Sequence, residues 1–448
     1  MAKEHCPKYY SEQLKELYKN RQKVLEWRIS MRLYIDPGTG SMLFTILIAV
    51  IGSLLYFLRD LKMKLSILLS GRREEKGTRE KLPFVIFSDD KRYWNVFKPI
   101  CDELERRKIP TLYLTESADD PALQCSYEYI HCECVGEGNR AFAKLNFLNA
   151  HVLLSTTPGL DVYQWKRSKD VDWYVHLPHA ANDITLYRMF GLDYYDAVLL
   201  SGEYQIRQLR QLEKLRNLPE KELRIVGVTY MDVMRERYIA ETTQIPEENH
   251  VRTILLAPSW GESAILSRYN ERIIDALLAT GYHIIIRPHP QSFVSETEQM
   301  QRLMQKYPEN AQLEWNRDND NFEVLRRADL MISDFSGVMF DFILVFDKPL
   351  IYADTSFDSA PYDCCWLEEP LWTFCRLPEL GGQLTEENMP HIKNLIDECI
   401  ANPKYKEARR QAREETWQEI GKGTENVVDY LCDKCEALET AEKSIIAA

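Results

Sequence analysis

The chain has 448 residues, an ordinary globular composition and a formal net charge of −13 at pH 7. This length predicts two domains with appendages, because single cores stop growing at about 250–300 residues. The charge excludes a nucleic-acid-binding protein, which needs a positive surface for the phosphates. The 11 cysteines are odd in number and lack a framework spacing. They therefore indicate reduced thiols rather than a disulfide scaffold.

The chain begins with two predicted helical segments. Residues 1–36 form an amphipathic segment, in which apolar side chains recur on one side of a helix. Residues 37–60 are predicted to form a transmembrane helix, because residues 42–58 carry no charge and the uncharged run approaches the ~20 residues that cross a bilayer. A buried core helix is the alternative. A cleavable signal peptide fits less well, since no small-residue cleavage site closes the run.

A basic linker, residues 61–81, follows the apolar run. Residues 1–81 together carry 16 Lys and Arg against 9 Asp and Glu. Such a basic cluster is attracted to an anionic cytoplasmic leaflet. We therefore expect a protein of the inner (cytoplasmic) membrane whose globular domains lie on the cytoplasmic face. Basic residues flank the apolar run on both sides, so the side on which the N-terminal segment lies stays open.

The globular part is predicted to be α/β. Short apolar strands alternate with helical stretches through residues 82–225 and again through residues 226–425, which predicts parallel sheets covered on both faces. Two Rossmann-like domains would then face each other across a cleft. The charged stretch 405–430 is predicted to be one solvated amphipathic helix, and residues 426–448 a C-terminal helix or tail.

Histidines follow two of the predicted strands. Arg287 and His289 come directly after an apolar strand, and prolines on both sides of the histidine hold it rigidly, as a catalytic or phosphate-binding imidazole requires. His179 follows a strand of the first domain and could take a proton from an attacking hydroxyl across the cleft. Ligands bind at the carboxyl ends of parallel strands. The alternative for His289 is a structural role in a loop, and His176, inside the strand before His179, is expected to be buried.

A further strand ends in the sequence SDFSG at residues 333–337. The Ser336 hydroxyl and the backbone N–H of Gly337 would form an anion site at the start of a helix, and glycine lets a phosphate approach the backbone closely. The alternative is a capping serine in a tight turn. Asp318 and Asp320 resemble a metal-binding Asp-x-Asp, but helix capping explains them better. No metal site is predicted.

Four motifs in chain order carry a family resemblance: the His179 loop, APSW at residues 257–260, RPHP at residues 287–290, and SDFS at residues 333–336 followed by Asp341. Together they resemble the CDP-glycerol glycerophosphotransferases, which include wall teichoic-acid primases and polymerases. The resemblance covers residues 82–425 and implies the GT-B architecture without a cofactor. It also implies transfer of glycerol phosphate from CDP-glycerol, or a related CDP-polyol, to a lipid-linked acceptor in cell-surface polymer synthesis, with release of CMP.

The resemblance also implies roles for individual residues. His179 would be the catalytic base, and His289 would act near the pyrophosphate. Substrate-binding roles fall on Ser259, Arg287, Ser333, Asp334, Ser336, Gly337 and Asp341. Gly337 stands where the family has a second serine, so it keeps the backbone donor and loses a hydroxyl. Two other functions stay open, a GT-B glycosyltransferase that uses a nucleotide sugar and a non-catalytic membrane scaffold for polymer synthesis.

Overall fold

The computed structural model describes residues 81–242, 251–318, 320–353 and 357–447. The predicted amphipathic segment 1–36, the transmembrane helix 37–60 and nearly all of the linker 61–81 lie outside these ranges. Among the residues that the structure describes, no helix combines the length and the apolar character needed to cross a bilayer.

The first half of the described chain forms a seven-stranded parallel sheet in the order β3-β2-β1-β4-β5-β6-β7. Its strands are β1 (Leu82–Ser88), β2 (Thr111–Thr115), β3 (Ile130–Cys134), β4 (Asn149–Ser155), β5 (Asp170–His176), β6 (Ala197–Leu200) and β7 (Glu222–Ile225). In the interior strand β1, Phe84 and Ile86 pack on one face and Val85 and Phe87 on the other. Burial on both faces explains why the strand is a continuous apolar run.

The second half forms a six-stranded parallel sheet in the order β10-β9-β8-β11-β12-β13. Its strands are β8 (Thr253–Leu256), β9 (His283–Ile286), β10 (Leu313–Trp315), β11 (Leu330–Ser333), β12 (Leu350–Ala353) and β13 (Gly381–Leu384). Leu255 of β8 lies opposite Ile285 of β9 and Met331 of β11. All three side chains are fully buried, so this register fixes the centre of the second core.

Helices cover the sheets and connect them. In the first half they are α1 (Trp94–Arg106), α2 (Asn139–Leu145) and α3 (Glu203–Arg216), and α4 (Thr229–Thr242) follows β7. The second half adds α5 (Ile265–Tyr269), α6 (Glu271–Leu278), α7 (Ser292–Ser295), α8 (Thr297–Lys306), α9 (Phe322–Arg327), α10 (Val338–Phe340), α11 (Trp372–Leu380), α12 (Ile392–Ala401), α13 (Lys404–Thr416) and α14 (Gly423–Ala447). A π-helical turn, Asp341–Val345, continues α10.

Both sheets have the doubly wound strand order of Rossmann-like domains, which confirms the predicted α/β fold. The order of the chain reverses between β1 and β4 in the first sheet and between β8 and β11 in the second. In open parallel sheets, ligands bind outside the carboxyl ends of strands at such a switch point. The fold therefore directs attention to the loops after β1, β4, β8 and β11.

The C-terminal helix returns to the first domain. Val427, Val428 and Leu431 of α14 pack into the core of the first sheet together with α1. The prediction of one helix over residues 405–430 is wrong, because α13 ends at Thr416 and α14, which includes most of the predicted tail 426–448, begins at Gly423. The break has a specific cause: the Asp232 carboxylate of α4 accepts hydrogen bonds from the backbone N–H groups of Gly421 (2.7 Å) and Gly423 (2.8 Å).

Candidate active site

A cavity of about 490 Å³ is walled by residues from both domains. The first domain contributes Arg92 and Tyr93, which follow β1, and His179, which follows β5. The second domain contributes loops after β9 and β10. Five cationic side chains line the cavity, against three carboxylates: Arg92, Lys98, Arg237, Arg287 and Arg317, with Asp318, Asp320 and Asp341. This balance favours an anionic ligand.

His179 is brought to the cavity, as the sequence predicted. Its Nδ1 atom lies 3.5 Å from the Tyr187 hydroxyl, and its ring lies against Tyr93 with centroids 5.0 Å apart. Burial, with a smaller contribution from the nearby charge of Arg92, lowers the pKa of His179 to about 4. The imidazole is therefore neutral at neutral pH, and a neutral ring is what a general base requires.

His289 reaches the same cavity from the second domain. Its Nδ1 atom accepts a hydrogen bond of 3.1 Å from the backbone N–H of Gln291. Burial lowers the pKa of His289 to about 4, with further contributions from Arg92, Arg287 and His179. A neutral imidazole whose Nδ1 accepts must carry its hydrogen on Nε2. His289 therefore presents an N–H group that can donate a hydrogen bond to a phosphate oxygen.

Arg287 and Asp341 form the wall of the cavity beside His289. The Arg287 guanidinium donates a hydrogen bond to Asn316 Oδ1, and its backbone N–H continues the sheet by donating to Leu256 O (2.9 Å). The buried Asp341 carboxylate accepts hydrogen bonds from the Tyr230 hydroxyl and from Asn321 Nδ2. Burial raises the pKa of Asp341 to about 6, although both hydrogen bonds and Arg287 oppose that shift.

Ser333 and Asp334 use their side chains to hold the second domain together. Ser333 Oγ donates to Ala257 O (2.7 Å) and is fully buried. The Asp334 carboxylate accepts from the backbone N–H groups of Ser259 (2.9 Å), Ile265 (3.1 Å) and Phe335 (2.7 Å). None of Ser259, Ser333 and Asp334 lines the cavity. These contacts fix the loop after β8. A substrate-binding role for the three residues remains a prediction.

Ser336 and Gly337 lie at the turn between β11 and α10. Ser336 is 8% exposed, and its carbonyl accepts from the backbone N–H of Met339. A Cβ atom added to Gly337 would meet Ala180 Cβ at 3.8 Å and Asn182 Nδ2 at 3.9 Å. The turn therefore faces the loop that follows His179. The predicted helix here is short, since α10 spans three residues before the π-helical turn.

Of the acidic pair, Asp320 hydrogen-bonds to the first residue of α9, whose N-cap position is Asn321, and Asp318 does not hydrogen-bond to the helix. The Oδ1 atom of Asp320 accepts a hydrogen bond of 3.0 Å from the backbone N–H of Phe322. The neighbouring Asp318 carboxylate accepts from Asn316 Nδ2 at 2.8 Å. In the ranges that the structure describes, no group of three or more His, Cys, Asp or Glu side chains is placed to hold a metal ion.

Several cavity residues were missed by sequence reasoning. Arg92 and Tyr93 follow β1 in the same way that Arg287 and His289 follow β9, so the strand-end rule would have found them. Tyr230 lines the cavity from α4, and Tyr187 lies outside the cavity lining, in a loop, in contact with His179. Their sequence surroundings carry no comparable signal, and only the tertiary fold brings them to the histidines and Asp341.

The chain is similar to known proteins in sequence and in fold. Residues 192–433 match the family described as CDP-glycerol:poly(glycerophosphate) glycerophosphotransferase. A structure of the wall teichoic acid polymerase TagF, a variant soaked with CDPG, superposes with a TM-score of 0.53 at 15% identity, covering 86% of this chain and 98% of TagF. A UDP-N-acetylglucosamine 2-epimerase superposes with a TM-score of 0.50 at 11% identity, covering 79% and 95%. At such identities the likeness shows the fold alone, which is GT-B-like. No curated protein sequence matches the chain.

Proposed function

Because this chain belongs to the CDP-glycerol:poly(glycerophosphate) glycerophosphotransferase family, we propose that it transfers glycerol phosphate from CDP-glycerol to an acceptor hydroxyl and releases CMP. The observation that carries the proposal is the placement of a neutral His179 from one domain and an N–H-donating His289 from the other in a single cationic cavity. The chain is a transferase of this family. The acceptor and the place of the reaction in the cell belong to the proposal.

His179 acts as the general base in the proposed reaction. Its Nε2 atom takes the proton of the acceptor hydroxyl, and the acceptor oxygen forms a bond to the distal phosphorus of CDP-glycerol. The bond between that phosphorus and the bridging oxygen breaks, and CMP leaves with the bonding electrons. A positioned base of this kind contributes about 10²–10⁴ in rate.

His289 and Arg287 act on the pyrophosphate. The Nε2–H group of His289 donates to a phosphate oxygen, and Arg287 supplies fixed positive charge beside it. Negative charge moves onto the leaving phosphate as the bridging bond breaks, so donors already held in place stabilise the transition state more than the ground state. Prolines on both sides of His289 and the Gln291 hydrogen bond keep the ring from reorienting.

The proposed acceptor is a lipid-linked polymer of the cell surface, as in teichoic acid synthesis. The family description supports a poly(glycerophosphate) acceptor, and the excess of cationic side chains in the cavity fits an anionic chain. We also propose anchoring to the inner membrane through residues 37–60, with the catalytic domains on the cytoplasmic face. Tethering raises the effective concentration of the enzyme at a lipid-linked substrate.

The donor is tested with the purified full chain. Given CDP-glycerol and bacterial lipid extract, the protein should release CMP in proportion to glycerol phosphate incorporated into lipid. UDP-sugars, offered under the same conditions, should not turn over. Turnover of UDP-sugars alone would show a nucleotide-sugar glycosyltransferase instead.

Catalysis is separated from scaffolding with three single variants. His179→Ala and His289→Ala should each lower kcat/KM for CMP release about 100-fold or more. His391→Ala, an exposed histidine outside the cavity, should leave it unchanged. Full activity and full polymer synthesis with both cavity variants, at equal protein levels, would favour a scaffold.

Membrane anchoring is tested by fractionation of cells that express the full chain. The protein should stay with the membranes after alkaline carbonate extraction. Ile48→Arg together with Leu54→Arg, each at about 2.5–3.5 kcal/mol in mid-bilayer, should release it. Recovery of the unaltered chain in the soluble fraction would contradict the anchor without affecting the proposed chemistry.

A further inference from the structure

The Tyr187 hydroxyl lies between two histidines of the first domain. It is 3.1 Å from Nε2 of His176 and 3.5 Å from Nδ1 of His179. The three rings pack edge to face around it, with centroids 5.1 Å apart for His176 and Tyr187 and 6.2 Å apart for His179 and Tyr187. The contacts form a chain that runs from the end of β5 to the cavity.

His176 is the inner end of this chain. It is fully buried at the last position of β5. Its Nδ1 atom has no hydrogen-bond partner among the described residues. Burial lowers the pKa of His176 well below its ordinary value, and the neighbouring His179 lowers it further. Tyr187 is therefore the polar contact of a neutral, otherwise isolated imidazole.

The hydroxyl hydrogen of Tyr187 decides which tautomer of His179 these contacts favour. A phenol has a single hydrogen, so Tyr187 donates to one imidazole and can accept only from the other. If Tyr187 donates to His179 Nδ1, His179 carries its hydrogen on Nε2 and cannot take a proton there. If Tyr187 donates to His176 Nε2, the closer of the two imidazoles, His176 carries its hydrogen on the unpartnered Nδ1. The Tyr187 oxygen then accepts the Nδ1–H of His179, and Nε2 of His179 presents a free lone pair to the cavity.

We propose that Tyr187 is a positioning residue that holds His179 in the tautomer with its hydrogen on Nδ1, so that Nε2 can accept the proton of the acceptor hydroxyl. The inference rests on the proposed role of His179 as the base. Once Nε2 is protonated, the Tyr187 oxygen still accepts the Nδ1–H of the now charged ring, which stabilises the imidazolium that the reaction forms.

Other groups around His179 do not offer this contact. Arg92 and His289 lie close enough to influence its charge, and Tyr93 lies against its ring. Arg92 has no acceptor atom to offer. Burial raises the pKa of the Tyr187 phenol most, and Tyr93 adds to that shift. The negative charge of Asp89, which lies nearby, makes a smaller contribution in the same direction. Among the described residues, Tyr187 is the hydrogen-bond partner found at Nδ1 of His179.

The test compares Tyr187→Phe with Tyr195→Phe in the full chain. Both substitutions remove one buried hydroxyl and keep the ring. Tyr195 is a matched control because its ring also packs on His176, at 5.0 Å, while its hydroxyl donates to Thr157 O at 2.5 Å. We expect Tyr187→Phe to lower kcat about 10–100-fold with KM for CDP-glycerol nearly unchanged. Tyr195→Phe should leave kcat nearly unchanged.

The tautomer is read directly by two-bond ¹H–¹⁵N correlation spectra of protein labelled at histidine nitrogens. His179→Gln identifies the resonances of His179 among the 9 histidines. In the unaltered chain at neutral pH, hydrogen should reside on Nδ1, and Tyr187→Phe should move it largely to Nε2. Hydrogen on Nε2 in the unaltered chain, an unchanged tautomer in Tyr187→Phe, or equal loss of kcat in both phenylalanine variants would each overturn the proposal. The spectra do not depend on turnover, whereas failure of the unaltered chain to release CMP would overturn the proposed function.

Discussion

His289 gains its function from a neighbour two residues away. The backbone N–H of Gln291 occupies Nδ1 of His289, and so assigns the ring hydrogen to Nε2. Since both cavity histidines are neutral at neutral pH, their chemistry depends on where each ring hydrogen resides rather than on their charge. The contact at Nδ1 thus determines whether Nε2 of the histidine can donate or accept in the cavity.

His289→Gln tests the donor role at this position. A glutamine amide can place an N–H group near the former Nε2, whereas alanine leaves no donor. We expect His289→Gln to retain more kcat/KM than His289→Ala, which should lose about 10²–10³-fold. Initial rates of CMP release measure both variants. Equal losses would show that the donor does not account for the effect of His289.

Asp341→Asn should remove a loss of stability that the unaltered chain shows as pH rises above about 4. Burial raises the pKa of Asp341 from 3.8 to about 6, so the native state favours the protonated acid. The stability that it contributes is fully present below pH 3.8 and is lost as pH rises from there through about 6. The loss amounts to about 3 kcal/mol at most. Asparagine removes this dependence because it does not ionise.

The measurement is thermal unfolding of Asp341→Asn and the unaltered chain at pH 4.5 and pH 8. The difference in unfolding midpoint should move in favour of the variant at the higher pH. Asp433→Asn, an exposed carboxylate of α14, is the matched control and should show no such change. A midpoint difference that is the same at both pH values would contradict the raised pKa.

At the scale of elements, α14 depends on a carboxylate from α4. Asp232 accepts the two backbone hydrogen bonds that begin the helix. Asp232→Ala should destabilise the protein by about 1–2 kcal/mol. Glu236→Ala, exposed on the same helix, should change stability by about 0.5 kcal/mol or less. Urea unfolding compares them, and equal effects would show that the cap does not matter.

The sequence predicted strands better than it predicted this helix break. A strand of a parallel sheet is a local apolar run, so β1 and β9 could be recognised from their own residues. The break between α13 and α14 is set by Asp232, which lies almost two hundred positions earlier. The residues on both sides have helical composition, so the local pattern predicted one continuous helix.

The same difference separates the parts of the site that were foreseen from those that were not. His179, Arg287 and His289 follow strands, and their positions at the cavity could be predicted because ligands bind at the carboxyl ends of parallel strands. Ser333 and Asp334 also lie at the end of a strand, yet their side chains turn inward to hold the β8 loop. Which way a strand-end side chain turns depends on partners that the sequence does not place nearby.

At the scale of the whole molecule, a buried arginine joins the two domains. The Arg216 guanidinium at the end of α3 donates to Asp193 at 2.7 Å and to Asp363 of the second domain. It also lies over the rings of Phe190 (4.8 Å) and Trp366 (5.0 Å). The side chains of Arg216 and Asp363 are 5% and 3% exposed, so the pair holds the domains together away from solvent.

Asp363→Ala should destabilise the protein by about 3–5 kcal/mol, because it leaves buried positive charge without one of its partners. Asp397→Ala is the matched control, since the Asp397 carboxylate pairs with Lys393 and Arg252 at the surface. That substitution should cost about 1 kcal/mol or less. Chemical unfolding followed by fluorescence compares the variants. A loss as small as that of the control would show that the buried pair does not join the domains.

The return of α14 to the first sheet affects the order in which the protein is made. Residues 82–225 leave the ribosome long before residues 423–447, which fill one face of their core. The apolar surface of β1, β4 and α1 that α14 covers therefore stays exposed while the entire second domain is synthesised. Exposed surface of this kind is where nascent chains bind chaperones or aggregate. The core of the first domain is consequently completed only when α14 docks.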